Sequence, residues 1–126
     1  MLIPSGIMAA YTMAASVVTG SWGGNGVLLL ATDAGARVEY DCAAGTIDEP
    51  LLLNEEGDFV AHGRHVFEPG GPRRLDEPPP ISRPSQYHGS IVGDEMSLTV
   101  ILLDTGEELG RFRLGRNQPA DLEKCL

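Results

Sequence analysis

Positive charge is scarce in this chain. Nine Lys and Arg stand against eighteen Asp and Glu, giving a formal net charge of −9 and a pI near 4.6. Without a basic face there is no footprint for nucleic acid, and anionic lipid repels the chain. No apolar run reaches the roughly 20 residues that a bilayer-crossing helix needs, so no stable membrane span is expected. Cysteine is limited to Cys42 and Cys125, with no Cys-x-x-Cys pair. Structural zinc usually takes about four Cys or His ligands in tight local spacing, so no metal site is expected. The Gly-x-Ser-x-Gly nucleophile elbow is missing. Gly23-Gly24-Asn25-Gly26 lacks the Lys-Ser/Thr pair and the following helix of a phosphate loop. No catalytic residue and no cofactor are assigned.

What is present fits one domain with a real core: 126 residues, 42% hydrophobic. The acids are dispersed through turn-like stretches, the mark of a solvated surface. The start differs from the rest. No charged residue precedes Asp33, and no Lys or Arg precedes Arg37. Residues 7–18 are apolar or small, which supports two readings. One is an export signal with a small-residue site at Ala14-x-Ser16, although its basic beginning is missing. The other is a short helix with Ile3, Ile7, Met8, Tyr11, Ala15 and Val18 on one stripe and Ser5 as its N-cap. The chain is therefore divided into a signal-like or short helical segment, 1–19, and a single β-barrel domain, 20–126.

From Trp22 onward the pattern is that of strands. Val27 to Ala31 is a short apolar run closed by the turn Asp33-Ala34-Gly35. Arg37 to Cys42 alternates cleanly, with Val38, Tyr40 and Cys42 on one face and Arg37, Glu39 and Asp41 on the other. Residues 43–49 read as a loop and Leu51-Leu52-Leu53 as a short strand. Asn54 to Asp58 is a turn, and Phe59 to Phe67 is a strand with Phe59, Ala61, Gly63, His65 and Phe67 on one face. Residues 68–86 hold six prolines, which remove ladder donors, so this reads as a long connection and not a central strand. Tyr87 to Val92, Met96 to Leu103 and Glu108 to Leu114 complete the strands, and 119–124 reads as one helical turn carrying Cys125. About seven to eight short strands joined by hairpins predict an all-β, antiparallel up-and-down meander closing into a small barrel. Cys42 and Cys125 fit either a disulfide tying the terminus to the body or two buried thiols.

Gly20-Ser21-Trp22, at the start of the first long strand, resembles the first motif of the lipocalin and avidin-like small barrels. The resemblance covers three residues and the strand pattern, and the second and third lipocalin motifs are not evident. Bacterial protease inhibitors with a similar barrel resemble it in architecture. The resemblance implies that Trp22 closes one barrel end against an arginine of the last strand, Arg111 or Arg113.

In a meander, successive connections alternate between ends. The turns at Asp33, at 55–58 and at Asp94-Glu95 are expected at one end. The 43–49 loop, the Pro-rich loop and the 104–107 turn are expected at the other. Arg73, Arg74 and Arg83 of the Pro-rich segment, with Tyr87 just after it, are the candidate ligand-binding residues at that mouth. His62 and His65 fall on opposite faces of a strand and His88 is distant, which disfavours a joint metal site. Ser90 lies beside His88 on one face, with no third partner indicated. The expected function is a non-enzymatic, exported (secreted or periplasmic) barrel binding a small molecule or a protein partner. The alternatives are an inhibitor-like interaction module using residues 1–18, a cytoplasmic protein, and an enzyme with a dispersed site.

Overall fold

A computed structural model describes residues 16–68, 75, 76, 78 and 80–125. The strands are β1 (Ser16–Val17), β2 (Gly20–Gly24), β3 (Val27–Ala31), β4 (Ala36–Tyr40), β5 (Ala43–Ile47), β6 (Leu52–Leu53), β7 (Asp58–Phe67), β8 (Ser82–Val92), β9 (Glu95–Leu102) and β10 (Glu108–Arg116). Eight of them form a closed barrel in the order β10-β2-β3-β4-β5-β7-β8-β9, every pair antiparallel. The remaining two, β1 and β6, pair beside it. The expected meander is thus present with eight strands. No helix occurs among the described residues.

Alternation along each strand builds the core. Ala36, Val38 and Tyr40 of β4 and Met96, Leu98, Val100 and Leu102 of β9 are buried. The long strands β7 and β8 pair over nine positions, from Asp58↔Ser90 to Val66↔Ser82. Eight strands enclose an interior that side chains can fill or that can hold one small ligand. Which of these happens therefore depends on side-chain size at each level.

Several local expectations are corrected. Residues 43–49 are not a loop, because Ala43 to Ile47 forms β5, a full member of the barrel. Gly45 at its centre is small for a physical reason: a Cβ there would collide with the Tyr87 hydroxyl, so Tyr87 fills the space in front of this part of the strand. Leu51 is buried at one barrel end, while Leu52–Leu53 pairs with β1 instead of joining the barrel. The 68–86 connection is shorter than expected, since β8 begins at Ser82 and contains Pro84. The Pro84 carbonyl accepts from the Leu103 N–H at 3.0 Å, so the missing Pro84 N–H faces β9 beyond its last paired residue, Leu102. The proline therefore costs only the one reciprocal bond to Leu103 O, at the very end of the β8–β9 ladder. The helix expected over 7–18 falls mostly outside the described residues, but its end does not form: Ser16–Val17 is a strand and the Val18 N–H donates to Leu51 O at 2.8 Å.

The last segment is an extended strap, not a helical turn. Asp121 exchanges backbone bonds with Gly24 and Gly26 at 3.0 and 2.8 Å. The Glu123 N–H donates to the Asp41 carboxylate at 2.8 Å, and the Cys125 N–H to Asp41 O at 3.1 Å. Cys125 is disulfide-bonded to Cys42, with the Cα atoms 5.1 Å apart. Lys124 Nζ donates to Tyr40 O and Glu68 Oε1 at 2.8 Å each and to Glu39 Oε1 at 3.2 Å. Cys42 is exposed in this cross-link, so the buried-thiol alternative does not hold.

The cross-link closes 83 residues of sequence. In the chain-entropy picture a loop of this length gives up to roughly 4.5 kcal/mol, and such cross-links typically deliver about 2–4 kcal/mol. Native chain without reductant should take no alkylating label at either cysteine, and the Cys42→Ser/Cys125→Ser variant should lose about that much unfolding free energy in urea. Labelling of both thiols in the unreduced native chain would contradict the link.

Candidate functional site

The two ends of the barrel are built differently. The turns at 32–35, 54–57 and 93–94 lie at one end, as the meander requires. Trp22 seals that end. It is wholly buried, its indole Nε1–H donates to Thr19 O at 3.2 Å, and Leu29, Val38 and Leu114 are buried in the same core. The residue over its ring is Arg116, whose guanidinium carbon lies 4.4 Å from the ring centroid. Arg116 Nε also donates to Asp94 Oδ1 at 3.0 Å, fixing it to the neighbouring turn. Arg111 and Arg113 do not take this part. They alternate to the outer wall, 76% and 79% exposed, and pair with Glu108 and Glu95. Phe112 and Leu114 set the inward parity of β10, and Arg116 shares it.

The opposite end is not filled by the described residues. A cavity of about 260 Å³ enters the barrel there, lined by Gly26, Tyr40, Asp41, Cys42, Ala43, His65, Phe67, Leu109 and Phe112. A larger depression, about 410 Å³, sits at the 32–35 turn, at the Trp22 end, where Leu30, Arg37 and Asp48 join Ala36 and Ile47 in its lining. At the mouth, inward-pointing residues of β4, β5, β7 and β10 line the cavity. Its walls are aromatic: Tyr40 and Phe112 have ring centroids 5.5 Å apart, Tyr40 and His65 5.2 Å, and His65 and Phe67 4.7 Å.

Polar atoms are buried behind these rings. Tyr40 is 7% exposed and His65 3%, yet Tyr40 Oη and His65 Nδ1 find no hydrogen-bond partner among the described residues. Ser85 Oγ, fully buried, is in the same condition. Tyr87 donates its hydroxyl proton to Arg64 O at 3.1 Å, and its oxygen interacts with the Tyr40 and Ser85 hydroxyls without reaching full hydrogen-bond geometry with either. Burial pushes the Tyr40 and Tyr87 hydroxyls up, so both stay protonated. Burial, with the nearby Arg83 charge, pushes His65 down, which favours the neutral ring. Leaving such groups unpartnered costs about 1–3 kcal/mol each. That is a cost a binding site carries and a plain core avoids.

The candidate residues from the sequence divide accordingly. Arg73 and Arg74 lie outside the described residues. Arg83 sits at an inward register position opposite His65, but its guanidinium makes two 3.0 Å bonds to the Asp104 carboxylate at the rim. That bonding holds the Asp104 carboxyl below the usual carboxylate range. Tyr87 is wholly buried inside the barrel and does not line the mouth. The residues missed were Tyr40 and His65. Their inward parity was visible beside Val38 and Phe59, but their lack of partners was not.

His62 and His65 do point to opposite faces. On the outer wall His88 Nε2 donates to Gln86 Oε1 at 2.7 Å, Gln86 Nε2 donates to His62 Nε2 at 3.1 Å, and His62 Nδ1 donates to Glu49 Oε2 at 3.2 Å. This is the one tautomer pattern in which every link has a donor and an acceptor. Ser90 Oγ donates to Asp58 at 2.6 Å. Among the described residues no group of three or more His, Cys, Asp or Glu is placed to hold a metal ion. No described helix is long and apolar enough to cross a membrane.

No protein-family model matches the chain, and no curated protein or solved structure matches it.

His65 binds its proton less readily in the folded chain than in the unfolded one. Below about pH 6.5 the unfolded state therefore holds more protons at this residue. Its contribution to stability is whole above that pH and is lost as pH falls toward the folded-state value. The stability difference between His65→Phe and the unsubstituted chain, from urea melts, should shift toward the variant between pH 7.5 and 5.5. A difference that stays constant across that range would remove His65 from the pH response.

Proposed function

We propose that this protein is a non-enzymatic β-barrel that binds a small molecule at the mouth between Tyr40, Ala43, His65 and Phe112. The observation that carries the reading is the pairing of an aromatic-walled cavity of about 260 Å³ with buried polar atoms that lack hydrogen-bond partners among the described residues. Ligand sites combine apolar walls with a few placed polar groups, and this end of the barrel has both. Sealing at the Trp22 end supports the reading, since a barrel closed at one end presents one route inward. The eight-stranded meander, with an indole under an arginine of the last strand, is the arrangement expected of a lipocalin- or avidin-like binder. The Cys42–Cys125 disulfide is a cross-link typical of oxidising compartments, which supports a secreted or periplasmic protein.

The test is a small-fragment screen followed by amide shift mapping on the disulfide-bonded chain. Bound fragments should move the amides of Tyr40, Ala43, His65 and Phe112 and leave Trp22 and Leu29 in place. A ligand at 100 times its Kd should stabilise the fold by roughly 2.7 kcal/mol. Shifts confined to the outer wall or to the Trp22 end, or no binder at all, would reject the mouth as the site.

A further inference from the structure

The mouth also carries information about what enters it. Its buried polar lining residues, Tyr40 and His65, present a hydroxyl and an imidazole, each able to donate or to accept. Ser85 Oγ, with the Tyr87 hydroxyl beside it, extends the polar interior further in. None of these groups carries formal charge at neutral pH. The nearby charges are already matched. Arg83 is held by Asp104, and Lys124 by Glu68 and Glu39. The Asp41 carboxylate takes the Glu123 N–H of the strap. Among the described residues a charged ligand would leave water and gain no free counter-ion, and a net charge of −9 disfavours anions from a distance.

Size narrows the class further. A protein cavity of about 150 Å³ holds benzene. The cavity here is about 260 Å³, room for roughly one fused pair of rings by that measure. Tyr40, His65, Phe67 and Phe112 line it as tilted or edge-on faces, with interplanar angles of 55° for Tyr40–His65 and 74° for His65–Phe67. Such faces accept a flat ring in offset or edge-to-face contact.

We infer that the mouth takes an uncharged one- or two-ring aromatic molecule with a single hydroxyl or similar hydrogen-bonding group, inserted polar end first toward Tyr40 and His65. The inference rests on the small-molecule reading above and specifies its ligand class. The hydrogen-bonding group supplies partners that Tyr40 Oη and His65 Nδ1 lack among the described residues, while the rings replace water against the aromatic walls. An aromatic without that group leaves both polar atoms unmatched, and a carboxylate brings a charge that no described residue at the site is free to balance.

Calorimetric titration of the disulfide-bonded full chain at pH 7.5 tests this with three probes: 2-naphthol, naphthalene and 2-naphthoate. 2-Naphthol should bind at least tenfold more tightly than either of the others. Tyr40→Phe should cost 2-naphthol about tenfold in affinity and leave naphthalene unchanged. His65→Leu provides the same comparison at the second polar atom, and either variant decides the point alone if the other fails to fold. Naphthalene binding as tightly as 2-naphthol would show that the buried polar atoms are not used, and would overturn the inferred class. Tighter binding of 2-naphthoate would overturn it in favour of an anion site. Binding by none of the three would overturn the class, while any other fragment mapped to the mouth would leave the small-molecule reading standing.

Discussion

Closure of the sheet between β2 and β10 is the constraint on which the rest depends. An open eight-strand sheet would expose two edges, and closure pairs them as Leu114↔Gly24, Gly115↔Gly23 and Arg116↔Trp22. The seam is short and poor in side chains, because four of the five residues in Gly20–Gly24 are glycine or serine. Trp22 is the exception, and it fills the adjoining interior by itself. Arg116 covers the ring and reaches Asp94, so the last strand, the first strand and the 93–94 turn meet in one contact. A cation over an indole contributes about 0.5–1 kcal/mol at such a partly exposed place. Its structural effect is larger than that figure suggests, because it joins the ends of a closed ring of strands.

With one end sealed, the character of the other follows from residue size. Large buried side chains — Trp22, Leu29, Met96, Leu98 and Leu114 — occupy the sealed half. Toward the mouth the inward positions of β5 are Ala43 and Gly45, and the volume they leave is shared between Tyr87 and the cavity. The strap from 118 to 125 then frames the mouth on one side. It joins the 24–26 and 41–42 turns by backbone bonds and the disulfide, so the cavity wall at Cys42 is covalently fixed.

The architecture was legible in the sequence wherever large residues alternate. Val38 and Tyr40 against Arg37 and Glu39 mark β4, and Leu98, Val100 and Leu102 mark β9. Alternation failed at β5, because two of its three inward residues, Ala43 and Gly45, are small enough to resemble a loop, and Gly45 faces Tyr87 from a strand some forty residues later. Pro84 hid the start of β8, since its harmless direction depends on where β9 ends. Arg116 was legible in principle, because it shares parity with Phe112 and Leu114. At the mouth, inward orientation of Tyr40 and His65 was readable from pattern alone. That neither polar atom meets a partner among the described residues is a property of four strands together, and no single strand encodes it.

The central claim is that closure seals the Trp22 end and leaves the Tyr40–His65–Phe112 end able to receive a molecule. A crystal structure of the disulfide-bonded chain under xenon pressure tests it directly, because xenon enters apolar cavities without chemical preference. The account predicts xenon between Tyr40, Ala43 and Phe112 and none around Trp22 and Leu29. Xenon beside Trp22, or none within the barrel, would contradict it.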